Sequence, residues 1–390
     1  MTSTTTAGRI QALLATDEHA DSIAAFYREC WGRDATGQSV TAAWRQAATE
    51  NVVAPGEPPP TAIVIDGGRV IAHCGSIAQR LWDGVAEHPA HWVKGLIVLP
   101  EYRQGPIGFL VCKELAAHLP RATVLAVAPA AGRLFRALGY ADLGAVANFV
   151  RPLRPGTLAR RLDITALGLS WPGWLGGAAR AGAALSRLAQ RTGVATLLGI
   201  AAGAVLDLAA AALRRGASRF SVVWSAEAPV RDELDDVWRT SRVTLAASPV
   251  RDGRYLRSRF GAGYLFITVR EAGRLVGVAV LRQPSATGDP RLRGVRVATV
   301  SDIVFPAQHA TVGLAVLGGV ERAARAAGAD AILCTTSHHA LTRLLRRQAY
   351  VRLPGNVHFF LHDRTGAARW PHDLRSWWLA RGDGDADEVF

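Results

Sequence analysis

The segment GLIVLPEYRQGPIGFLVCKEL, residues 95–115, has the residue types to hold an anion and an extended ligand side by side. An apolar run ends at Pro100, an Arg/Gln/Gly turn follows, and a helix is expected from about Gly108. Backbone N–H groups in such a turn, with a helix N-terminus behind them, suit an anion such as a pyrophosphate. Glycines let the backbone approach the ligand closely. Pro100 breaks the strand ladder, which leaves carbonyl or amide groups to pair with an extended ligand.

The flanking sequence supplies elements to position that turn. RIQALLAT, near residues 9–16, reads as a strand, and ADSIAAFYRECWG as a helix with Ile23, Phe26, Tyr27 and Cys30 on one side. The Pro-rich stretch 52–60 is a loop. TAIVIDGGRVIAHCGSI reads as two strands joined by Asp66-Gly67-Gly68, a strong hairpin signal. HWVKGLIVL is the apolar strand before the turn, and IGFLVCKELAAHL the helix after it. TVLAVAP, AAGRLFRALGY and AVANFVRPL continue as strand, helix and strand. The expected order is β-α-β-β-β-α-β-α-β, a mixed α/β layer.

The pattern recurs from about Ser218. SRFSVVW is strand-like, RDELDDVWRTSR helical, and LFITVREAGRLVGVAVLR a hairpin turning at Glu271-Ala272-Gly273. An apolar strand (RVATVSDIVFP), a helix, a strand (AILCTT), a helix (SHHALTRLLRRQAY) and VHFFLH follow. The fold class expected is α/β, with two tandem mixed-sheet domains over 1–153 and 218–365. Residues 154–217 form a basic, helical linker, and 366–390 an aromatic and then acidic tail.

Length and composition agree: 390 residues suit two domains, and 49% hydrophobic residues give ample core. Cys30, Cys74, Cys112 and Cys334 are far apart, against a zinc ribbon, a C-x-x-C redox motif or a disulfide framework. The opening residues show no basic segment followed by an apolar core, so a cytoplasmic protein is expected. Net charge is +13, but only Lys94 and Lys113 are lysines, and the excess is concentrated in the middle. Ten arginines against Asp163 and Asp207 lie between Arg151 and Phe220. Aromatic residues are not interleaved with those arginines as stacking platforms, so nucleic acid is not expected as a partner. Residues 193–213 are long enough to span a bilayer, but Asp207 interrupts them and alanine inserts weakly. A packed helical linker is expected, or membrane-surface contact through 165–215 with Trp171 and Trp174 at the headgroups.

V-x-P-x-x-R followed by a Gly-containing turn and G-x-L resembles the acyl-CoA-binding motif of the GNAT family of N-acetyltransferases. GRLFRALGY (132–140) resembles that family's next motif, a helix closed by a Gly-aromatic pair. The resemblance implies a strand that splays from its neighbour so that a pantetheine arm inserts like an extra strand. Leu96, Ile97 and Val98 would then contact the arm, and Arg103, Gln104, Gly105, Ile107 and Gly108 would form the phosphate turn. It also implies acyl transfer from acetyl-CoA or another acyl-CoA, with no metal, to an amine or hydroxyl of a small-molecule or glycan acceptor. The chain departs from the family in two places. Pro106 stands where the family has the turn's first glycine, which removes an N–H. Phe135 stands where the family often has a general-acid tyrosine.

The chemistry needs a base within reach of the acceptor amine and an N–H to hold the oxyanion. His91 and Lys94 are the base candidates, with His73 and Glu101 beside them; His73, in VIAHCG, reads rather as a hydrogen-bonded core residue. Tyr102 and Tyr140 read as packing residues. In the second half, Pro306 keeps the break but no phosphate turn follows. Thr335, Ser337, His338 and His339 cluster after a strand, and Arg251-Asp252-Tyr255-Leu256-Arg259 resembles an acceptor-side element. Two other classes stay open: a FemAB-like transferase using aminoacyl-tRNA, and a non-catalytic acyl-CoA sensor or membrane-surface adaptor.

Overall fold

The computed structural model describes residues 10–32, 34–161, 201, 203–204, 207–208, 210–286, 294–384 and 387. Most of the expected linker, 162–200 in full, lies outside the described residues.

The first unit comprises Met1–Ala145 with Asn356–His372. Its elements are β1 (Gln11–Leu14), α1 (Ala20–Trp31), α2 (Gly37–Glu50), β2 (Ala62–Asp66), β3 (Arg69–Trp82) and β4 (Glu87–Val98), then α3 (Ile107–Ala117), β5 (Arg121–Leu125), α4 (Pro129–Ala137) and the start of β6 (Ala141–Pro152). Helix α1 buries Ile23 and Phe26 and stops at Gly32, whose left-handed backbone (φ 59°) suits glycine. Strands β2 and β3 turn through Gly67 and Gly68, both at positive φ, the two-residue hairpin that Asp-Gly-Gly favours. Helix α2 is not evident in the sequence. Thr36 caps it through the Ser39 N–H (3.1 Å), yet only Gly37, Val40 and Ala48 are buried, too sparse a stripe to show helical period.

The second unit comprises Val146–Gly355 with Asp373–Phe390. After α5 (Pro155–Arg161) come β7 (Ser221–Ser225), α6 (Arg231–Arg242), β8 (Ser248–Pro249), α7 (Gly253–Arg259), β9 (Tyr264–Glu271) and β10 (Arg274–Ala286). Then follow β11 (Arg296–Val304), α8 (Ala310–Ala326), β12 (Ala331–Thr336), α9 (His339–Arg347) and β13 (Val351–Asp363). Short β8 aside, β7 to β13 repeat the element order of β1 to β6, each copy with two helices before its hairpin.

Both units are mixed sheets with helices packed on them, and they are drawn by packing rather than by the sequence repeat. The strand order is β1-β2-β3-β4-β5-β13 in the first unit and β6-β12-β11-β10-β9-β7 in the second. Beside β5 lies Phe359–Asp363 of β13, from Leu125↔Phe359 to Arg121↔Asp363, and beside β12 lies β6, from Ala331↔Pro152 to Thr336↔Ala147. Each sheet is thus completed by the last strand of the other sequence half. In the first unit Arg121 fixes that strand by an ion pair with Asp363 (2.9 Å), nearly shielded from water.

Candidate active site

Strand β4 is bound to β3 along its length, from Trp82↔Glu87 to Ala72↔Val98. Its pairing with β5 is much shorter: the parallel ladder joins His91–Trp92 to Ala122–Thr123. The vertex where the strands part is pinned. Thr123 Oγ1 donates to the His91 carbonyl (3.3 Å) and accepts from Gln79 Nε2–H (2.9 Å). From Trp92 to Val98, β4 runs on for about 20 Å at the usual strand rise. Leu96, Ile97 and Val98 lie on this stretch, half-buried.

A bulge shapes the stretch. Between the pairs Gly75↔Lys94 and His73↔Ile97, β4 has one residue more than β3, and Gly95 there adopts φ 59°. His73 holds the bulge: its Nδ1–H donates to the Gly95 carbonyl (3.1 Å), and its Nε2 accepts from the Tyr27 hydroxyl (3.0 Å). Burial pushes the ring down to about 4, so it is uncharged at neutral pH with both nitrogens committed. His73 is a positioning residue.

The turn is tethered on both sides. Leu99 N–H donates to the Ile71 carbonyl (3.0 Å), and the Tyr102 hydroxyl to Asp66 (3.0 Å) at the β2–β3 hairpin. Arg103 is exposed and turns back, Nε–H donating to the Val98 carbonyl (3.0 Å). Gly105 N–H is spent on the Tyr102 carbonyl (3.3 Å). Pro106 precedes α3 and offers no side-chain cap. The N–H groups of Gln104, Ile107, Gly108 and Phe109 have no protein acceptor among the described residues. A Cβ at Gly105 would meet only the Tyr102 carbonyl, at 3.7 Å, whereas one at Gly108 would lie 3.3 Å from Leu134 and 3.7 Å from Val98. Gly108 therefore sits where α3, α4 and the end of β4 meet.

The structure brings Leu96–Val98, the turn 103–105, Ile107 and Gly108 to one end of this opening; His91 stands at the other, beside the last ladder residue. His91 is 4% exposed, burial pushes its ring down to about 4, and its Nδ1 has no partner among the described residues. Lys94 lies between the ends, opposite Gly75. Glu101 is exposed and ion-paired with Arg69 (3.2 Å). Phe135, buried edge-on to Tyr140 at 5.1 Å, has no proton to give, and burial pushes the Tyr140 hydroxyl well above its usual range. The His73–Tyr27 latch had no sequence signal beyond a histidine in an apolar run.

The second-half candidates are built into their own unit. His338 caps α9 through the Ala340 N–H (3.3 Å) and packs on Trp378 at 4.8 Å, and His339 Nδ1 lies 3.3 Å from the Arg375 carbonyl. Thr335 donates to Asn148 (2.6 Å), and Ser337 to the Trp377 carbonyl (2.5 Å). Arg251 is 0% exposed between Asp302 (2.6 Å) and Asp383 (2.7 Å); Asp252 caps α7, Tyr255 and Leu256 are buried, and Arg259 reaches the Gly382 carbonyl at 3.4 Å. These residues hold the unit together. Among the described residues no group of three or more His, Cys, Asp or Glu stands at metal-binding distance, and no helix is long and apolar enough to cross a membrane.

No known family model and no curated protein matches the sequence. Solved structures do match. A GCN5-related N-acetyltransferase from Anabaena variabilis superposes with a TM-score of 0.54 at 10% identity, covering 91% of this chain and 73% of that one. A probable N-acyltransferase from Enterococcus faecalis gives 0.54 at 9% identity, covering 91% and 72%. The N-myristoyltransferase of Saccharomyces cerevisiae, solved with bound myristoyl-CoA, gives 0.53 at 11% identity, covering 91% and 82%. At such identity the likeness establishes the fold.

Proposed function

From the premise of a chain with the fold of GCN5-related N-acetyltransferases, we propose that this protein transfers an acetyl or other acyl group from acyl-CoA to an amine or hydroxyl of a small-molecule or glycan acceptor. The observation that carries the reading is the β4–β5 ladder ending at Trp92, with the Gln104, Ile107 and Gly108 amides beyond the strand having no protein acceptor among the described residues. An extended thioester arm lies along β4 from Val98 toward Trp92, and its pyrophosphate meets the N–H groups of Gln104, Ile107 and Gly108. The acyl end then arrives at the vertex beside His91.

His91, uncharged at neutral pH, takes the acceptor proton, with Lys94 as the other candidate on the same strand. The acceptor nitrogen or oxygen bonds to the acyl carbon, the carbon–sulfur bond breaks, and the proton passes from the base to the departing thiolate. Phe135 supplies no acid, and a thiol of pKa about 8.5 leaves without one. In this reading residues 1–153 carry the acyl-CoA half and 218–365 the acceptor half. The basic segment 154–217 joins them, with 165–215 the place to look for membrane-surface contact in an otherwise cytoplasmic protein.

The test is a calorimetric titration with acetyl-CoA and a medium-chain acyl-CoA, alongside Gly108→Trp. An indole there fills the space between Val98, Leu134 and the turn, and is expected to weaken binding by about a hundredfold. Unchanged affinity in the variant overturns the site. No binding by the intact chain overturns the function in favour of the aminoacyl-tRNA-dependent transferase or the non-catalytic adaptor.

A further inference from the structure

The second unit repeats the opening of the first and fills it. Strands β11 and β12 run parallel, and their ladder, from Val297↔Ala331 to Val300↔Cys334, stops short of both strand ends. Where they part, the last stretch of chain enters. Gly382 N–H donates to the Ser301 carbonyl (2.6 Å), and Trp378 Nε1–H to the Ile303 carbonyl (2.9 Å), both on β11 beyond the ladder. On the β12 side, the Ser337 hydroxyl donates to the Trp377 carbonyl (2.5 Å) and accepts from Leu379 N–H (3.3 Å), while Arg381 reaches Thr335 Oγ1 at 3.4 Å. Both lips of the opening are thus engaged, Ser301 by a backbone–backbone bond and the others through side chains.

Charge and burial fix the same segment. Asp383 shares the buried Arg251 guanidinium with Asp302 of β11, and its carboxylate also accepts from Ala380 N–H (2.8 Å). The hydroxyls of Ser301 and Tyr264 donate to Asp387, at 2.6 and 3.0 Å. Trp377, Trp378, Leu379 and Ala380 are buried.

We propose that the β11–β12 opening is a ligand cleft whose resident ligand is the chain's own segment Trp377–Asp383, seated where the first unit takes an extended amide-bearing ligand. The Ser301 carbonyl accepts from the Gly382 amide, the chemistry a pantetheine arm also offers, and the Ile303 carbonyl from the Trp378 indole. Phe305-Pro306-Ala307-Gln308-His309 lead from β11 to α8 without an Arg-x-x-Gly-x-Gly turn, so the emptied cleft takes the amide arm and not the pyrophosphate. That ligand class rests on reading the first opening as the acyl-CoA site.

Gly382→Ala in the full-length chain tests the proposal. A Cβ there would stand 2.8 Å from the Ser301 carbonyl oxygen and 2.8 Å from the Phe260 ring, and a strand carbonyl has nowhere to move. Arg381 is buried, so trypsin cleavage after it reports release of the segment. Cleavage there is expected to rise by about tenfold or more in Gly382→Ala. Titration with S-acetylpantetheine, which lacks the pyrophosphate, should show one more site per chain than in the wild type. Trp378→Phe, which removes the bond to Ile303 and part of the ring packing on Phe305 and His338, should shift both readouts the same way by less. Gly261→Ala, where a Cβ meets nothing, should leave both unchanged. Wild-type protection of Arg381 in Gly382→Ala overturns the proposal, as does a released segment with no additional site. Loss of hydrogen-exchange protection throughout β9 and β10 along with the segment also overturns it, because the segment is then core and not ligand. Acetyl-CoA binding and its loss in Gly108→Trp report on the first opening separately, so either reading can fail visibly alone.

Discussion

The β4–β5 and β11–β12 openings come from the same sequence of elements and meet different ends. In each, a parallel ladder stops early beside a long antiparallel partner. In the first the edge leads to Arg103-Gln104-Gly105 and to amides at the start of α3 that have no protein acceptor among the described residues. In the second it meets Gly382, Trp378 and a buried ion triad. A splayed pair of strands leaves backbone groups in want of partners, since buried N–H and C=O groups must be satisfied. The fold therefore creates a demand for an extended occupant, and the local sequence decides whether a ligand or the chain itself supplies it.

The largest way to break this contrast is Arg251→Ala. It strips the cation from two carboxylates, Asp302 and Asp383, that are both 0% exposed. Stranding buried charges costs about 3–5 kcal/mol. The second unit should lose hydrogen-exchange protection and the melting temperature should fall by roughly 10 °C, while β3 and β4 keep theirs. A loss of protection shared equally by both units would show that the triad is not local to the second opening. Tyr27→Phe acts on the first opening. It leaves His73 Nε2 buried without its donor, worth about 1–3 kcal/mol, and should speed exchange around the Gly95 bulge and lower turnover. Unaltered exchange there would mean that the latch does not hold the bulge. Pro106→Gly sharpens the contrast from the other side. It returns an N–H to the turn before α3 and, on the proposed reading, should tighten acyl-CoA binding by several-fold, about 1 kcal/mol, with no change in the exposure of Arg381.

Much of this arrangement was legible in the sequence, and the exceptions share a cause. Hairpins announced by Gly67-Gly68 and Ala272-Gly273, and helices with a full apolar stripe, appear where their patterns put them. The turn after Pro100 was readable because it is a local chemical signal. Helix α7 was missed because GRYLRSR is short and rich in arginine. The exchange of β6 and β13 was not readable, since ADLGAVANFVRP and the VHFFLH end of β13 are equally plausible neighbours for either parallel strand. Likewise Arg251 finds Asp302 and Asp383 at sequence separations of 51 and 132, and no spacing rule reaches that far. Two adjacent tryptophans in the tail were the one hint that WWLARG is buried rather than trailing.

A last expected effect is that of acid on the first opening. His73 and His91 titrate at about 4 in the folded protein because burial disfavours their charged forms, against 6.5 for a free imidazole. At pH 7 both are uncharged in the folded chain and mostly so in the unfolded one, and their contribution to stability is nearly complete. As pH falls below 6.5 the unfolded chain binds protons that the folded one refuses, so stability declines toward pH 4 and then levels off. The unfolding free energy, followed by urea melts with β3–β4 exchange as the local probe, should therefore drop steadily between pH 6.5 and 4.5. The same shift sets the form of the rate profile. A base that charges only near pH 4 is ready across the neutral range, so acyl transfer should show no inflection near 6.5 from His91, and its rise with pH should follow the acceptor amine alone. An inflection near 6.5 that disappears in His91→Gln would place a solvated, ordinary imidazole at the vertex, and would mean that the opening is wetter at its inner end than the burial of His91 requires.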